Sequence, residues 1–180
     1  MSRPRLLVHI CCGPCAAWTI TSLLEQGFEV TGFFYNPNIH PWQELRLRQE
    51  AAATAAEKLG IKMIRKEEHP SQWFRAVSFR ENNRCFHCAH MRLEKTYFAA
   101  RHGHFDCFTS TLLYSKHQRH DSIAASGRDL AVAGGPDFLY QDFRQGWNEG
   151  INLSNSWGLY RQTWCGCLYS NFERFAPKTI

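Results

Sequence analysis

His9-Ile10-Cys11-Cys12-Gly13-Pro14-Cys15 is the stretch whose reading decides this chain. The apolar run just before it, Leu6-Leu7-Val8, has the length and character of a short buried strand. Gly13-Pro14 breaks that strand, and Cys15-Ala16-Ala17-Trp18 opens a helical pattern. Thiols at a strand-to-helix turn sit at the carboxyl edge of a sheet, where α/β proteins keep their sites. Free amides at the start of the next helix favour thiolates and any anionic group bound there.

Outward from this turn, Ala16 to Gln26 carries apolar residues at helical spacing and stops at Gly27. Val30 to Tyr35 reads as a second strand, closed by the turn Asn36-Pro37-Asn38. Pro41 suits the first turn of a helix lasting to Leu59, and Ile61 to Ile64 is a third strand. The β-α-β-α-β order predicts parallel pairing with right-handed crossovers. Beyond it come a short helix over Pro70 to Phe79, a polar linker Arg80 to Arg84, and a helix from Cys85 to His102-Gly103. Phe105 to Thr109 is a fourth strand, and Ser115 suits the N-cap of a helix ending at Ser126-Gly127. Phe138 to Tyr140 is a fifth strand, and the Trp- and Gly-rich stretch from there to Cys165 reads as loop. The expectation is one α/β domain over residues 1–180, Rossmann-like or HUP-like. Its mostly parallel sheet has about five strands, flanking helices and a cysteine-rich site at the carboxyl edge.

With 180 residues and 44% hydrophobic content the chain can bury a core, and no apolar run is long enough to span a bilayer. Met1-Ser2-Arg3-Pro4-Arg5 lacks the apolar region of a signal peptide, so a cytoplasmic location is expected. In a reducing compartment eight cysteines point to metal or catalytic use rather than to a disulfide framework. The net charge of +5 favours a polyanionic partner, mildly. Basic residues mix with aromatics in Trp42 to Arg48, Trp73-Phe74-Arg75, His117 to His120 and Tyr160-Arg161-Gln162. That mixture suits phosphate contact with base stacking, or else a solvated basic surface over buried rings.

Two more cysteine pairs follow the first three, Cys85-x-x-Cys88 and Cys165-x-Cys167. A Cys-x-x-Cys at a helix start puts both sulfurs on one side of the first turn, which suits zinc, an iron–sulfur cluster or a redox dithiol. Cys107 lies inside a strand and reads as core, leaving seven cysteines in loops or at element ends. One structural zinc or one cubane cluster needs only four. The surplus calls for a second metal or a catalytic pair; the simpler alternative, a zinc knot with inert thiols, sits awkwardly with adjacent Cys11 and Cys12. His9, His40 and His87 add possible ligands, a surface or supporting role being the more ordinary one. Asp142 follows the fifth strand, where it could complete a mixed sulfur–oxygen iron site or donate a proton; capping, or pairing with Arg144, is the open alternative.

Several motifs in order carry a resemblance: His9-x-Cys11-Cys12-x-Pro14-Cys15, Phe34 to Pro41, Cys85-x-x-Cys88-x-x-x-Arg92-Leu93, Phe108-Thr109-x-Thr111-Leu112-x-x-Ser115, Asp142-Phe143-Arg144, and Gly158 to Gln162 with Cys165-Gly166-Cys167-x-x-Ser170. The chain resembles the QueH family of epoxyqueuosine reductases over nearly its whole length. The resemblance implies reduction of the epoxide of epoxyqueuosine at the tRNA wobble position, the last step to queuosine. It implies a [4Fe-4S] cluster with a mononuclear iron beside it, held by cysteines and a carboxylate. The seven motif cysteines fit that inventory without being divided between the two metals, and Asp142 is the candidate carboxylate. Asp142, His9 or a metal-bound water would protonate the departing oxygen, and an external donor would supply electrons. Asn36, Asn38 and His40, with Tyr160, Arg161 and Gln162, are the candidate contacts to the anticodon loop; the alternative packs Tyr160 in the core and turns Arg161 to a carbonyl. One departure is Gly13, where Ala is common, which is expected to loosen the turn.

Two other readings remain. ATP-dependent tRNA thiolases share the outline but carry a Ser-Gly-Gly-x-Asp-Ser phosphate loop, and Cys12-Gly13-Pro14-Cys15 has too few glycines for that. The chain would then be an ATP-independent relative of those enzymes. From a different class, it could be a zinc- or cluster-stabilised tRNA-binding module without catalysis.

Overall fold

The computed structural model describes residues 2–66 and 69–177; the remaining residues of the expected 1–180 domain lie outside the described ones. Strands β1 (Arg5–His9), β2 (Glu29–Phe34), β3 (Lys62–Arg65), β4 (Cys107–Ser110) and β5 (Asp137–Phe138) form one sheet in the order β3-β2-β1-β4-β5. Every pairing is parallel, as the β-α-β-α-β order predicts. The helices are α1 (Gly13–Glu25), α2 (Trp42–Lys58), α3 (Ser71–Val77), α4 (Arg84–His102), α5 (His120–Val132), α6 (Trp147–Ser156) and α7 (Leu168–Phe175).

Alternation along β1 divides the core. Leu6, Val8 and Ile10 face the cluster that holds Ala16, Ala17 and Ile20 of α1 with Ala52 and Ala55 of α2. Leu7 points the other way, into Phe33, Phe108 and the α4 residues Tyr97 and Ala100. Leu6, Leu7 and Val8 are fully buried, and each such side chain stabilises the fold by roughly 1.5–3 kcal/mol. Helix α6 packs on α1, and α5 packs on α4 and β5. From β1 the strand order runs outward to β2 and β3 on one side and to β4 and β5 on the other. The reversal opens a crevice at the carboxyl end of β1, where Cys11, Cys12 and Cys15 lie.

Three expectations change. The helix expected from Ser115 begins at His120, because Thr111–Tyr114 forms a 3-10 turn capped by the Ser110 hydroxyl and Ser115 holds a further turn through the His117 amide. That helix continues past Gly127 to Val132. The stretch read as loop after β5 contains a 3-10 turn over Phe143–Gly146 and all of α6.

Gly13 does the opposite of loosening. It is the first residue of α1, and a Cβ there would lie 2.5 Å from the carbonyl oxygen of Ala51 in α2. Its missing side chain lets the two helices meet at the site.

Candidate metal centre

The Cys11, Cys12 and Cys15 sulfurs all lie within 4.8 Å of one another. Cys11 Sγ is 3.8 Å from Cys12 Sγ, which is 2.9 Å from Cys15 Sγ. The turn is braced across the sheet by Thr111, whose hydroxyl accepts from the Cys11 amide at 3.0 Å and donates to its sulfur at 3.2 Å. Contacts from Cys12 and Cys15 hold Cys11 well below the ordinary thiol range, and the Cys11 contact pushes Cys12 up to about 12.

A second group is assembled from distant parts of the chain. Cys85 and Cys88 occupy the first turn of α4, and Cys165 and Cys167 the loop entering α7. Cys88 and Cys167 are buried together with Trp73 and Val77, and burial pushes the Cys88 thiol up. Arg84 pairs with Glu173, tying the start of α4 to α7. Between the groups lies buried Arg92, whose Nε donates to the Cys88 carbonyl at 3.0 Å and whose charge acts on Cys88, Cys165 and Cys11.

The loop carrying Cys165 is held by residues the sequence reading passed over. Arg48 is buried in α2; its guanidinium donates to Glu44 Oε1 at 2.6 Å and to the carbonyls of Cys165 and Trp164 at 2.8 and 3.0 Å. The Tyr160 hydroxyl donates to Glu44 Oε2 at 2.6 Å. Gly166 has φ 118°, its carbonyl accepts from the His40 amide at 2.7 Å, and a Cβ would press on the Arg48 guanidinium. The sequence signal was Glu44 and Arg48 spaced i,i+4 on the Ala-rich side of a helix, where charge is unexpected unless paired.

Both groups open onto one cavity of about 690 Å³, lined by Cys11, Cys15, Cys85, Cys165 and Cys167. Arg48, Arg84, Arg92, Arg119, Arg161 and Arg174 also line it, against Glu173 as its acid. Tyr114 stacks on Trp147 along one wall, with Lys116 over the same indole.

The other expected site residues divide. Asn36, Asn38, Arg161 and Gln162 line the cavity, and Asn36 Oδ1, Asn38 Oδ1 and Gln162 Oε1 are buried acceptors without a partner. His40 is not in the lining; its ring stacks on Phe74 and tilts over Trp73. Tyr160 is spent on Glu44, in line with the alternative that it packs internally, while Arg161 Nη1 donates to the Asn155 side chain at 3.2 Å. His9 is fully buried, with Nδ1 on Ser110 Oγ at 2.8 Å and Nε2 on the Tyr35 carbonyl at 3.1 Å. Burial holds it neutral, with a pKa lowered to about 4, so it serves as a strut between strands rather than as an acid facing the cavity. Asp142 is also outside the lining; Arg144 grips both its oxygens, at 2.8 and 2.6 Å, and holds its carboxyl at about 2. Local pairing, the alternative left open by the sequence, is what the geometry gives.

A family model described as epoxyqueuosine reductase QueH matches residues 6–173. Among curated proteins named epoxyqueuosine reductase QueH, that of Dehalococcoides mccartyi is 39% identical over 96% of this chain and 95% of its own. The protein of that name from Thermotoga maritima is 34% identical over 94% and 91%. Solved structures share the fold at low identity. The U34-tRNA thiolase NcsA from Methanococcus maripaludis, solved with its [4Fe-4S] cluster, has TM-score 0.63 at 14% identity, over 94% of this chain and 62% of that one. A predicted subunit of a tRNA methyltransferase from Methanocaldococcus jannaschii has TM-score 0.60 at 13% identity, over 84% and 74%.

Proposed function

The chain belongs to the epoxyqueuosine reductase QueH family, and from that premise we propose that it reduces epoxyqueuosine at the wobble position of tRNA to queuosine. The overall change takes two electrons and two protons and releases the epoxide oxygen as water. The observation that carries this reading is that five of the seven motif cysteines, drawn from both groups, line one arginine-rich cavity, with Cys12 and Cys88 buried behind them.

The residues fit the implied metals. In the triad the Cys11 to Cys12 separation of 3.8 Å matches the roughly 3.7 Å edge of a tetrahedral site with 2.3 Å metal–sulfur bonds, and the 2.9 Å between Cys12 and Cys15 would have to widen to meet it. Three sulfurs leave a fourth position open, as a reacting metal needs. Four cysteines in the second group match the four thiolates of a cubane. Trp73 Nε1 is a buried donor without an oxygen partner that acts on the Cys88 sulfur, which suits an anionic thiolate there. We therefore assign Cys85, Cys88, Cys165 and Cys167 to the [4Fe-4S] cluster and Cys11, Cys12 and Cys15 to the single iron. When bound, the cluster supplies electrons singly and the iron a Lewis acid for the epoxide oxygen.

The remaining work belongs to the chain itself. Arg119, Arg161 and Arg174 at the cavity hold the phosphates of the anticodon loop, and the Tyr114 and Trp147 wall offers aromatic surface to an unstacked base. Asn38 and Gln162 present buried acceptors to the hydroxyl and amine donors of the modified base. Arg92, permanently charged and out of water, steadies the anionic sulfurs on both sides. Asp142 and His9 are poorly suited to supply the two protons, which would come from water in the cavity, and an outside carrier supplies the electrons.

Iron and sulfide analysis with the visible spectrum, on protein purified without oxygen, tests the assignment. About five irons and four sulfides per chain are expected, followed by turnover of epoxyqueuosine tRNA with a chemical reductant. One zinc without sulfide would overturn the reading and leave the binding module.

A further inference from the structure

Phe79, in the link between α3 and α4, has φ 61° and is 99% exposed. Val77 to Arg80 form a type II turn, with Ser78 at φ -57° and ψ 134° and the Arg80 amide on the Val77 carbonyl, and Phe79 occupies the positive-φ position that usually takes Gly or Asn. His104, which shares this conformation at φ 53°, gives its carbonyl to the Arg5 side chain at 2.8 Å. The Phe79 ring makes no ring contact among the described residues. The link itself is held in place: the Phe79 amide donates to Glu81 Oε1 at 3.0 Å and the Arg80 amide to the Val77 carbonyl at 3.0 Å. The turn accounts for the backbone, but a large apolar side chain at that position is a costly choice, and its ring is exposed with no return among the described residues.

The ring's neighbours suggest the return. Phe74, Arg75, Ser78, Phe79 and Arg80 line a second depression of about 480 Å³. Phe74 is part-exposed and braced by the His40 ring behind it. Two phenyl faces beside two exposed guanidinium groups combine base stacking with phosphate contact, while Glu81 is engaged with the Phe79 amide. From Phe79 to Cys85 the chain spans at most roughly 20 Å, and Arg84, on the way, lines the main cavity. A strand of RNA delivering one base to the cysteines would bring its neighbouring nucleotides within that distance of this link.

We propose that the link from Ser78 to Arg84 is a second RNA contact, in which Phe79 stacks on an unpaired base outside the cavity and Arg75 and Arg80 hold the adjoining phosphates. The proposal rests on the tRNA reading above. Its test is binding of a fluorescein-labelled anticodon stem-loop RNA to the metal-loaded full chain, by anisotropy. Phe79→Ala and Phe79→Gly are expected to raise Kd about tenfold, within the range seen for losing one stacked base, and Phe79→Trp to bind within twofold of the parent. Phe79→Gly, which relieves the backbone, should melt no lower than the parent, which separates lost contact from lost fold. Parent-like binding by Phe79→Ala overturns the proposal while leaving the tRNA reading intact. Failure of the parent itself to bind overturns both. If Phe79→Ala binds RNA normally but loses turnover only with a protein electron donor, the surface serves that donor and the proposal is wrong.

Discussion

The two cysteine groups reach the same cavity by different means. The triad is local: seven consecutive residues, His9 to Cys15, leave a strand buried from Leu6 to His9 and enter a helix, and neighbours within the turn set most of the geometry. The second group is tertiary, joining α4 to a loop some eighty residues later, and it is positioned by a buried ion pair on a third element, α2. A site made by a turn inherits the rigidity of the sheet. A site made by packing is only as rigid as its anchors, here Glu44, Arg48, Tyr160 and Gly166.

Cysteine substitutions break the comparison most sharply. Cys12→Ser and Cys88→Ser should each abolish epoxide reduction, yet their metal contents should differ. The first should lose about one iron and keep sulfide, the second about four irons with all the sulfide. Equal losses in both variants would show one shared centre. RNA binding should survive in each within about twofold, since no phosphate or base contact is assigned to these thiols.

Arg48→Met tests the anchor. Removing one partner of a buried pair leaves Glu44 uncompensated at a cost of about 3–5 kcal/mol, read from denaturant unfolding. Two carbonyls in the Cys165 loop lose their donor as well. Sulfide content should fall while the triad iron stays, because nothing in the triad touches Arg48. Unchanged sulfide would mean that the loop holds itself.

The smallest effect is expected at Asp142, outside both groups. Its carboxyl is depressed below the ordinary range by Arg144, so its contribution to stability is present above about pH 4 and fades as pH falls toward 2. Asp142→Asn should flatten that acid limb of the melting curve and leave turnover and iron content unchanged. Loss of one iron in this variant would restore Asp142 as a ligand.

What could be read in advance follows the same division. The first strand, the turn, the sheet's parallel order and the triad all come from contiguous pattern, and they were legible. The Ser115 helix failed because Ser110 and Ser115 each offered a turn its own amide partner, which competed with the helix. Asp142 looked catalytic because it follows a strand, but a guanidinium two residues on captured it. His9 carried a reactive residue type into a fully buried position where the Tyr35 carbonyl, as acceptor, and the Ser110 hydroxyl, as donor, define its use. The partition of seven cysteines was illegible, since it depends on which loops Arg48 and Arg84 draw together.

The position of Cys165 and Cys167 along the chain also fixes an order of events during synthesis. All five strands and the triad have left the ribosome before these two residues appear, so the sheet is free to form around an incomplete centre. The second cysteine group is completed only when that later stretch docks Tyr160 on Glu44 and the Cys165 carbonyl on Arg48. The sheet and the triad thereby precede the second group, which waits on the last docking step.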